Sequence, residues 1–465
     1  RIGIGEVTVT ASDDKYTARD EVELDVRPSN PPMTWTEQFV LEPGKTLDHE
    51  LVLKGIMGTN EANVEISSIP SLNLEERLGY LVAYPHGCLE QTISSAFPQL
   101  YLAKIMDTEP AAREKMKQNV VSAIDRLQLY FTGSGTLAYW PGGTNVNEWA
   151  AVYAGHFMAE AEKVGYNIPY YTKRRWLNDQ QNIAQNWEPS SNQNSATYND
   201  RTLAYRLYVL AMMKEEDLGA MNPLREKSNL TIQAKWRLAG AYALSGRKDI
   251  AKTLINPQAP IQLSKTVNHT FGSATRDNAM ILEVLTLLEE DKEAMKMAMK
   301  VAQEVNSSKW MSTQTTAFSL MAISKFINTG GSDSKIMNYA YQFDNSTLLT
   351  KRTARSVVQH PVTAKNQKVK ITNNGDQKIF VRVAHTGIPM PGTQASLSNV
   401  LAMDIRYFNS HTMAPVDLFK IQQGTDFTME ITISNNGSRG DLSELALSQI
   451  FPSGWEIHNA RMDGY

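Results

Sequence analysis

The spacing of apolar residues changes twice along the chain. In residues 1–28 apolar and polar residues alternate, as in "GEVTVTAS" and "DEVELDV" around a turn at Asp13-Asp14, and this pattern predicts a β-hairpin. Strand-like alternation continues to about residue 70. Helical spacing then holds from "NLEERLGYLVAYP" to about residue 330. The pattern therefore predicts a long helical block that follows a β region.

Strands are predicted again after "INTGGSDSK". The segment "KVKITNNGDQKIFVRVAH" predicts a hairpin around Asn374-Gly375, a favoured tight-turn pair. Further strands are predicted in "LAMDIRYFN", "DFTMEITISNNG" and "ELALSQIFPSGWEI". A β module that begins near Thr34 and resumes near Tyr339 could hold the helical block in one of its loops, because insertions are tolerated at loop tips.

The helical block contains a weak repeat of apolar segments. Six segments combine small with large apolar residues: "CLEQTISSAFPQLYLA", "EWAAVYAGHFMAEA", "RTLAYRLYVLAMM", "AKWRLAGAYALSG", "RDNAMILEVLTLL" and "TQTTAFSLMAISKF". More polar, amphipathic segments such as "KEAMKMAMKVAQEV" lie between them. Helices that are apolar all round are buried, whereas amphipathic ones face solvent on one side. Two concentric rings of helices, an α/α toroid, are predicted, and a simple helical solenoid is the alternative.

Composition narrows the class of protein. Hydrophobic residues make up 42% and charged residues 20% of 465, as in water-soluble globular chains of several domains. The net charge of −3 argues against a nucleic-acid or anionic-membrane surface. The chain opens on "RIGIGEVTVTAS", which reads as the middle of a strand, so we expect a piece of a longer protein.

The single cysteine, Cys88, lies in "YPHGCLEQTISSAFPQL". A lone cysteine is most often a small buried hydrophobic residue, but the residues around Cys88 favour a reactive role for its thiol. Gly87 gives the backbone freedom just before a predicted helix, and Gln91 shares a helix face with Cys88 because positions i and i+3 are neighbours. The positive end of the helix dipole favours a thiolate. A thiolate beside the Gln91 carboxamide can displace ammonia and leave an internal thioester.

"GCLEQ" after an aromatic-proline pair resembles the thioester motif of the α2-macroglobulin and complement superfamily, and the leucine variant resembles its bacterial branch. "GTLAYWPGGTNVNEWAAVYAGHFMAEAEKVGYNIP" and "WMSTQTTAFSLMAISKF" are similar to the family's second and last inner helices. The resemblance implies a multidomain α plus β chain. Residues 69–334 would form an α/α toroid inserted in a CUB-like β domain (34–68 and 335–388). Residues 1–28 and 395–465 would be parts of macroglobulin-type β-sandwich domains.

The resemblance also implies a function and site residues. Cys88 and Gln91 would be the thioester pair, and Tyr84 would shield the bond. The protein would inhibit proteases by trapping them covalently, with Gln91 acylating lysines of the attacking protease, and would not be a turnover enzyme. The bait segment of such proteins is missing from this sequence. A periplasmic or cell-envelope location in a bacterium is implied, which leaves open membrane anchoring through an N-terminal part outside the sequence.

Other polar residues near the motif are expected to play no chemical part. Glu90 should point away from the bond, and His86 could tune the thiol but is more simply a loop histidine. His156 is expected to be a core histidine and not the residue that redirects acylation to hydroxyls in some complement proteins. The eight histidines show no zinc-site spacing, so no metal or cofactor is predicted.

Three alternatives of other classes stay open. The chain could be a non-covalent scaffold or binding module whose thioester never forms, or a cysteine acyltransferase, which would need a histidine partner. A toroid-type glycosidase or lyase would need converging carboxylates. Glu148, Asp200 and Asp277, which are predicted to begin three of the apolar helices, are the candidates, although acids at helix starts are more simply partners of the helix dipole.

Overall fold

Strands occupy both ends of the chain, and helices occupy its middle. The computed structural model describes residues 3–26, 28, 30–70, 87–102, 110–188, 193–257, 263, 270–307, 311–328, 336–363, 368–390, 392–393, 398, 401–435, 445–449, 451–452 and 454–458, without the side chains of 193–197 and 328. The strands that precede the helices are β1 (Gly3–Ser12), β2 (Thr17–Val26), β3 (Met33–Leu41), β4 (Thr46–Glu50) and β5 (Glu61–Ser67). Those that follow are β6 (Met337–Phe343), β7 (Leu349–Thr353), β8 (Val357–Val362), β9 (Lys368–Asn373), β10 (Ile379–Gly387), β11 (Leu401–Asn409) and β12 (Phe427–Asn435). The protein is therefore a mixed chain with several β-sheets and a central helical region.

The helices alternate between two kinds. The six apolar segments of the repeat each overlap one helix: α1 (Leu89–Ala96), α3 (Glu148–Lys163), α5 (Gln193–Met212), α7 (Ile232–Leu244), α9 (Ala274–Leu287) and α11 (Thr313–Asn328). Between them lie the more polar α2 (Pro110–Arg126), α4 (Tyr170–Gln185), α6 (Leu218–Glu226), α8 (Lys248–Leu254) and α10 (Asp291–Asn306). The predicted alternation of helices is confirmed in the described chain.

The six apolar helices contact one another in a closed cycle. Each of α1, α3, α5, α7 and α9 packs against the next of the six, and α11 packs against both α9 and α1. The polar helices lie against this cycle; α4, α6 and α10 each contact two successive members of it. In α3 every residue from Trp149 to Ala161 is buried, as expected for a helix surrounded by others.

Short polar side chains fix where the helices of the cycle begin. Asn147, Thr231 and Ser273 precede α3, α7 and α9, and each accepts a hydrogen bond from the backbone N–H three residues further on. Such N-caps satisfy N–H groups that have no partner inside the helix. The first helix is short because Pro98, which lacks an N–H, follows it and begins a 3-10 turn.

The strands around the helical region form two four-stranded sheets. Their strand orders are β3-β10-β5-β8 and β4-β9-β6-β7, so each sheet combines strands from before and after the helices. One apolar core includes side chains of both sheets, among them Val64, Ile66, Tyr339, Ile371 and Val381. The helical region thus lies in the long connection between strands that belong to the same two sheets.

The hairpin predicted around Asn374-Gly375 is wrong, because β9 and β10 lie in different sheets. Neither Asn374 nor Gly375 has the positive φ that a type I′ turn requires. The turn is held by other parts of the sheets instead. Asn373 Nδ2 donates to the carbonyl of Leu41 at 2.9 Å, and Asn374 N donates to the carbonyl of Asn338 at 2.9 Å. The turn therefore carries the chain from one sheet to the other.

Two antiparallel strand pairs are separate from these sheets. The predicted first hairpin is confirmed, with β1 and β2 paired from Gly3↔Val26 to Ser12↔Thr17. The pair β11–β12 confirms two further predicted strands. The strand predicted in "ELALSQIFPSGWEI" is wrong for the described residues 445–449, 451–452 and 454–458, none of which is in a strand. Leu445 and Leu447 there are exposed, so these side chains are not packed in a core of the described residues.

The chain divides into two compact units. One contains residues 35–53 and 61–385, which include the helices and most of the two four-stranded sheets. The other contains residues 1–34, 54–60 and 386–465, which include both separate strand pairs.

Candidate functional site

The cysteine and the glutamine of the motif meet at the start of α1. Cys88 is the N-cap residue, with extended backbone, and Gln91 is the third residue of the helix. Gln91 Oε1 accepts a hydrogen bond from the backbone N–H of Cys88 at 3.3 Å, and the Cys88 side chain faces the backbone N–H of Gln91 in a capping-box arrangement. Both side chains therefore lie at the N-terminus of α1, and this N-terminus with Gly87, Cys88 and Gln91 is called the helix mouth below.

Gly87 provides the backbone geometry that this arrangement needs. Its φ is +106°, a value that residues with a side chain rarely adopt. A Cβ atom at this position would also collide with Gln91 Oε1. Gly87 therefore sets the direction of the chain and leaves space for the Gln91 carboxamide.

Tyr139, which the sequence analysis missed, contacts the cysteine. Its hydroxyl lies near the Cys88 side chain. Burial, the interaction with Cys88 and the nearby Glu90 raise the pKa of Tyr139. Its ring stacks on Phe271 with centroids 5.7 Å apart, and its carbonyl accepts from the N–H of Leu89 at 2.9 Å. The aromatic pair in "LAYWPGG" was the only signal in the sequence, and nothing in it indicated proximity to Cys88.

Tyr130 holds the other side of the helix mouth. Its hydroxyl donates to the carbonyl of Gly87 at 2.8 Å and lies 2.8 Å from Thr92 Oγ1. Both Tyr130 and Thr92 are buried. The loop before α1 is thus tied to the polypeptide that follows α2.

Glu90 is buried beneath the mouth and has partners of its own. Its carboxylate accepts hydrogen bonds from Ser94 at 2.6 Å and from Thr313, on α11, at 2.9 Å. Burial raises the pKa of Glu90, and the two hydrogen bonds only partly oppose this effect. These contacts occupy Glu90 inside the helical cycle, which agrees with the expectation that it has no chemical part.

Cys88 and Gln91 differ in their exposure to solvent. The Cys88 side chain is buried, with 2% of the residue exposed, whereas Gln91 is exposed. Tyr84, the predicted shielding residue, and His86 both lie outside the described residues. The described part of this unit therefore leaves the Gln91 side of the mouth open.

His156 lies in the centre of the helical cycle, as predicted for a core histidine. Its Nδ1 is 2.9 Å from the hydroxyl of Tyr205, and its Nε2 is 3.2 Å from Glu283 Oε1. The Lys325 ammonium binds both Glu283, at 2.7 Å, and Glu160. Four helices of the cycle, α3, α5, α9 and α11, thus contribute to one buried network.

This network was not predicted, although its charged residues interrupt apolar runs. Burial alone would raise the pKa of Glu160, but Lys325 and His156 outweigh it and hold the pKa below its usual range. Lys325 and Arg237 do the same for Glu283, which Arg237 contacts at 2.6 Å. The ion pairs therefore keep both buried carboxyl groups charged.

The same network is the candidate for a metal site in the described chain. His156, Glu160 and Glu283 offer ligand atoms within 4.8 Å of one another. However, the Lys325 ammonium already bridges the two carboxylates. These residues therefore fit a salt-bridge network better than a cation site.

The three carboxylates considered for glycoside chemistry are each engaged with a cation. Glu148, which begins α3 as predicted, lies 3.0 Å from Arg206. Asp277 is the fourth residue of α9 and contacts Arg276 at 2.7 Å. The prediction that Asp200 begins a helix is wrong, because α5 starts at Gln193. The polar residues between Gln193 and Asp200 extend the helix toward its N-terminus.

Asp200 accepts two hydrogen bonds from Lys227, at 2.6 and 2.8 Å. The ion pairs of the three acids lie on different helices, and each satisfies a carboxylate locally. No described contact brings two of these acids together, so the glycosidase hypothesis gains no support.

The helix mouth permits one covalent reaction of its own. Attack of Cys88 Sγ on Cδ of Gln91 would release ammonia and join the two side chains as a thioester. A later amine would attack the same carbon and free the thiol. The arrangement places the two reacting groups together at the start of one helix. No helix among the described residues is both long and apolar enough to cross a membrane.

The fold and the helix mouth define a class: a mixed α and β chain whose helical cycle presents a cysteine and a glutamine at one helix start. Bacterial alpha-2-macroglobulins are homologues of this chain. The chain is 24% identical over 467 residues to alpha-2-macroglobulin of Escherichia coli K12. The matched region covers 94% of this chain and 27% of the relative. It is 22% identical to alpha-2-macroglobulin of Pasteurella multocida, covering 96% of this chain and 24% of the relative. The chain thus spans about a quarter of these relatives.

Solved structures agree with this relationship. Native E. coli alpha-2-macroglobulin from domain MG7 to the C-terminus matches with a TM-score of 0.65 and 23% identity, covering 90% of this chain and 67% of that chain. Salmonella alpha-2-macroglobulin reacted with methylamine matches with a TM-score of 0.67 and 23% identity, covering 94% and 29%. No family model matches the chain. The resemblance to bacterial alpha-2-macroglobulins is confirmed, and the fold corresponds to their C-terminal region.

Proposed function

We propose that this chain is the thioester-bearing part of a larger bacterial protein that traps attacking proteases covalently. The observation that carries the proposal is the shared mouth of α1, where Gln91 Oε1 and the backbone of Cys88 are hydrogen-bonded. Cys88 Sγ and the Gln91 acyl carbon would form the thioester, and Gln91 would be transferred to a lysine of the protease while Cys88 is released as a thiol. Because the bond is consumed once, the protein acts as an inhibitor and not as an enzyme.

The closed cycle of apolar helices supports an α/α toroid as the thioester domain, with proposed bounds 69–334. The sharing of both four-stranded sheets by strands on either side supports a CUB-like domain over 34–68 and 335–388. Residues 1–28 and 395–465 would belong to macroglobulin-like domains. The match to E. coli alpha-2-macroglobulin from domain MG7 onward supports this organisation.

A stored thioester must be protected from water, since exposure invites hydrolysis. We assign Tyr84 and the aromatic ring of Tyr139, as distinct from its hydroxyl, to this protection, together with other parts of the whole protein that cover the exposed Gln91. A cut in a bait segment elsewhere would then open the cover and let lysines enter. The natural location of such a trap would be the periplasm or the cell envelope.

A small amine tests the proposal. The Salmonella homologue was reacted with methylamine, and we expect the whole protein that contains this chain to incorporate one methylamine at Gln91 and to expose one new thiol at Cys88. The Cys88→Ala variant should do neither. A protein that keeps an unmodified Gln91 and a free thiol throughout would instead be a non-covalent scaffold. Repeated turnover of a small amide would indicate an acyltransferase.

A further inference from the structure

One peptide group at the helix mouth is held at both of its ends. The carbonyl of the peptide between Gly87 and Cys88 accepts the Tyr130 hydroxyl at 2.8 Å, and its N–H donates to Gln91 Oε1 at 3.3 Å. This peptide is trans and planar, so its C=O and N–H point in opposite directions. A partner that fixes one of these groups therefore fixes the other. Tyr130 thus aims the N–H that Gln91 Oε1 accepts.

Tyr130 is itself fixed in place. Its side chain is buried, and its backbone carbonyl accepts the N–H of Ala138 at 2.8 Å. The hydroxyl of Thr92, also buried, lies 2.8 Å from the Tyr130 hydroxyl. A tyrosine hydroxyl has one proton, and Tyr130 donates it to Gly87, so Thr92 is the donor in this second contact. Thr92, Tyr130 and the Gly87 carbonyl form one chain of hydrogen bonds, in which each bond strengthens the next.

The N–H at the end of this chain faces the atom on which charge would develop. Attack of Cys88 Sγ on Gln91 Cδ forms the S–C bond and moves the carbonyl electron pair onto Oε1. The C–N bond then breaks, and ammonia leaves with the proton of the thiol. An amine that opens the thioester passes through the same tetrahedral carbon and gives a proton to the departing sulfur. In both reactions an N–H aimed at Oε1 stabilises the transient oxyanion.

The length of the contact fits this role. An ordinary N–H···O bond is about 2.9–3.0 Å long, whereas Cys88 N lies 3.3 Å from Oε1 of the uncharged carboxamide. A donor that tightens only when charge develops lowers the barrier, because it favours the transition state over the ground state. Two neighbouring N–H groups have other partners: that of Leu89 donates to the Tyr139 carbonyl at 2.9 Å, and that of Gln91 faces the Cys88 side chain.

We infer that the backbone N–H of Cys88 stabilises the oxyanion on Gln91 Oε1, both when the thioester forms and when an amine opens it, and that Tyr130 positions this N–H. The inference rests on the proposed thioester function and adds the groups that promote its chemistry. Tyr130 acts through the peptide that it holds and is a positioning residue. Thr92 supports it from within α1.

Tyr130→Phe in the whole protein that contains this chain tests the inference. The variant keeps the buried ring and removes the hydroxyl, so the Cys88 N–H loses its fixed direction. The rate constant for opening by methylamine should fall roughly 2- to 12-fold, which is the equivalent of one net hydrogen bond. The infrared band of the thioester carbonyl, measured as the difference before and after methylamine, should move to higher frequency because its hydrogen bond is weaker. A loss of stability alone would not move this band.

The matched control is Tyr242→Phe. Tyr242 is also buried, and its hydroxyl donates to Asn222 Oδ1 at 2.8 Å, between α7 and α6. This variant loses a similar hydrogen bond and should keep the wild-type rate constant and band position.

Thr92 supplies a second pair of variants. Thr92→Val removes the donor to Tyr130 and should change the rate constant and the band in the same direction by a smaller amount. Thr92→Ser keeps a hydroxyl and should restore the wild-type values. This pair carries the test if Tyr130→Phe does not fold or forms no thioester.

The outcomes separate this inference from the proposed function. A thioester that forms in the wild type, with an unchanged rate constant and band in Tyr130→Phe and Thr92→Val, would overturn the inference and leave the proposed function standing. A slower reaction without a shift of the band would overturn it as well, because the hydroxyl would then not act on the carbonyl. A wild-type protein without the ammonia deficit and without a thioester band would overturn both.

Discussion

Gln91 Oε1 accepts the backbone N–H of Cys88 at 3.3 Å, so the glutamine side chain folds back over the residue three positions before it. The acyl carbon of the proposed thioester is thereby held beside the cysteine before any bond forms. Alignment of two reacting groups in this way lowers the entropic part of the barrier. The proposed reactivity thus depends on the backbone and side-chain geometry at the start of α1.

Gly87→Ala should separate the two groups. The substitution strains a backbone with φ of +106° and puts a methyl group where Gln91 Oε1 lies. We expect the free energy of unfolding to fall by about 1–3 kcal/mol and methylamine incorporation at Gln91 to be lost. Incorporation is measured by mass spectrometry of the tryptic peptide in the whole protein.

The matched control is Gly165→Ala. Gly165 has a similar φ of +99° and nothing within 4 Å of a new Cβ, so it imposes the strain without the collision. This variant should lose similar stability and keep incorporation. Equal incorporation in Gly87→Ala and Gly165→Ala would show that the glycine contributes only its backbone conformation.

Tyr139→Phe should slow the reaction with amines. The variant keeps the stack on Phe271 but removes the hydroxyl that contacts the Cys88 side chain. A hydrogen bond to the leaving sulfur is worth about 0.5–1.5 kcal/mol, so the rate constant for methylamine should fall roughly 2- to 12-fold. Tyr170→Phe, at an exposed position, is the control and should leave the rate unchanged. A faster reaction in Tyr139→Phe would mean that the hydroxyl protects the bond rather than assisting its opening.

Lys325→Met should destabilise the helical region strongly. Lys325 binds Glu160 and Glu283, which lie inside the cycle. Its loss removes the cation that bridges these two buried carboxylates, although Arg237 still pairs with Glu283 and Tyr101 still donates to Glu160. Removal of one partner from a buried ion pair costs about 3–5 kcal/mol. Urea unfolding measures the change.

The control for Lys325 is Lys296→Met, whose ion pair with Glu293 is exposed on the lysine side. That variant should stay within about 0.5 kcal/mol of the wild type. A double variant that also replaces Glu160 by glutamine should recover part of the loss. A loss below about 1 kcal/mol in Lys325→Met would contradict the proposed importance of the network.

Glu90 should make the wild-type protein less stable as pH rises. Burial raises the pKa of Glu90 in the folded state, so this state holds the proton more tightly than the unfolded chain, where glutamate has a pKa of about 4.3. The contribution of Glu90 is therefore most favourable below that value and declines as pH rises toward the folded-state pKa, by up to about 1.4 kcal/mol per pH unit.

Glu90→Gln removes this titration. Urea unfolding at pH 4 to 7 should show the stability of wild type falling relative to Glu90→Gln as pH increases. Glu61→Gln, on the exposed start of β5, should follow the wild-type profile. A constant difference between wild type and Glu90→Gln across this range would show that the Glu90 carboxyl does not titrate in it.

Local patterns in the sequence were enough to predict most elements. The run "EWAAVYAGHFMAEA" has small and large apolar residues on all sides, and the helix it predicted is buried on all sides. Alternation around a turn at Asp13-Asp14 predicted the hairpin of β1 and β2. The motif around Cys88 predicted a helix start, because Gly87 and Gln91 signal it locally.

Contacts between distant parts of the chain could not be predicted in this way. Asn374-Gly375 is a local hairpin signal, but the partners of its turn are Leu41 and Asn338, from other strands. Tyr139 reaches Cys88 only because its loop packs on the start of α1. Charged residues in apolar helices, such as Glu283 and Lys325, could have indicated the buried network, but their pairing depends on closure of the helical cycle.

The mass of the peptide that contains Cys88 and Gln91 tests the central claim most directly. In the untreated whole protein, digested under mild acid, this peptide should be lighter than its sequence by one ammonia, and Cys88 should not react with thiol reagents. The deficit should vanish in Cys88→Ala. A peptide of unmodified mass, with a reactive Cys88 and an intact Gln91 amide, would contradict a stored thioester in this protein.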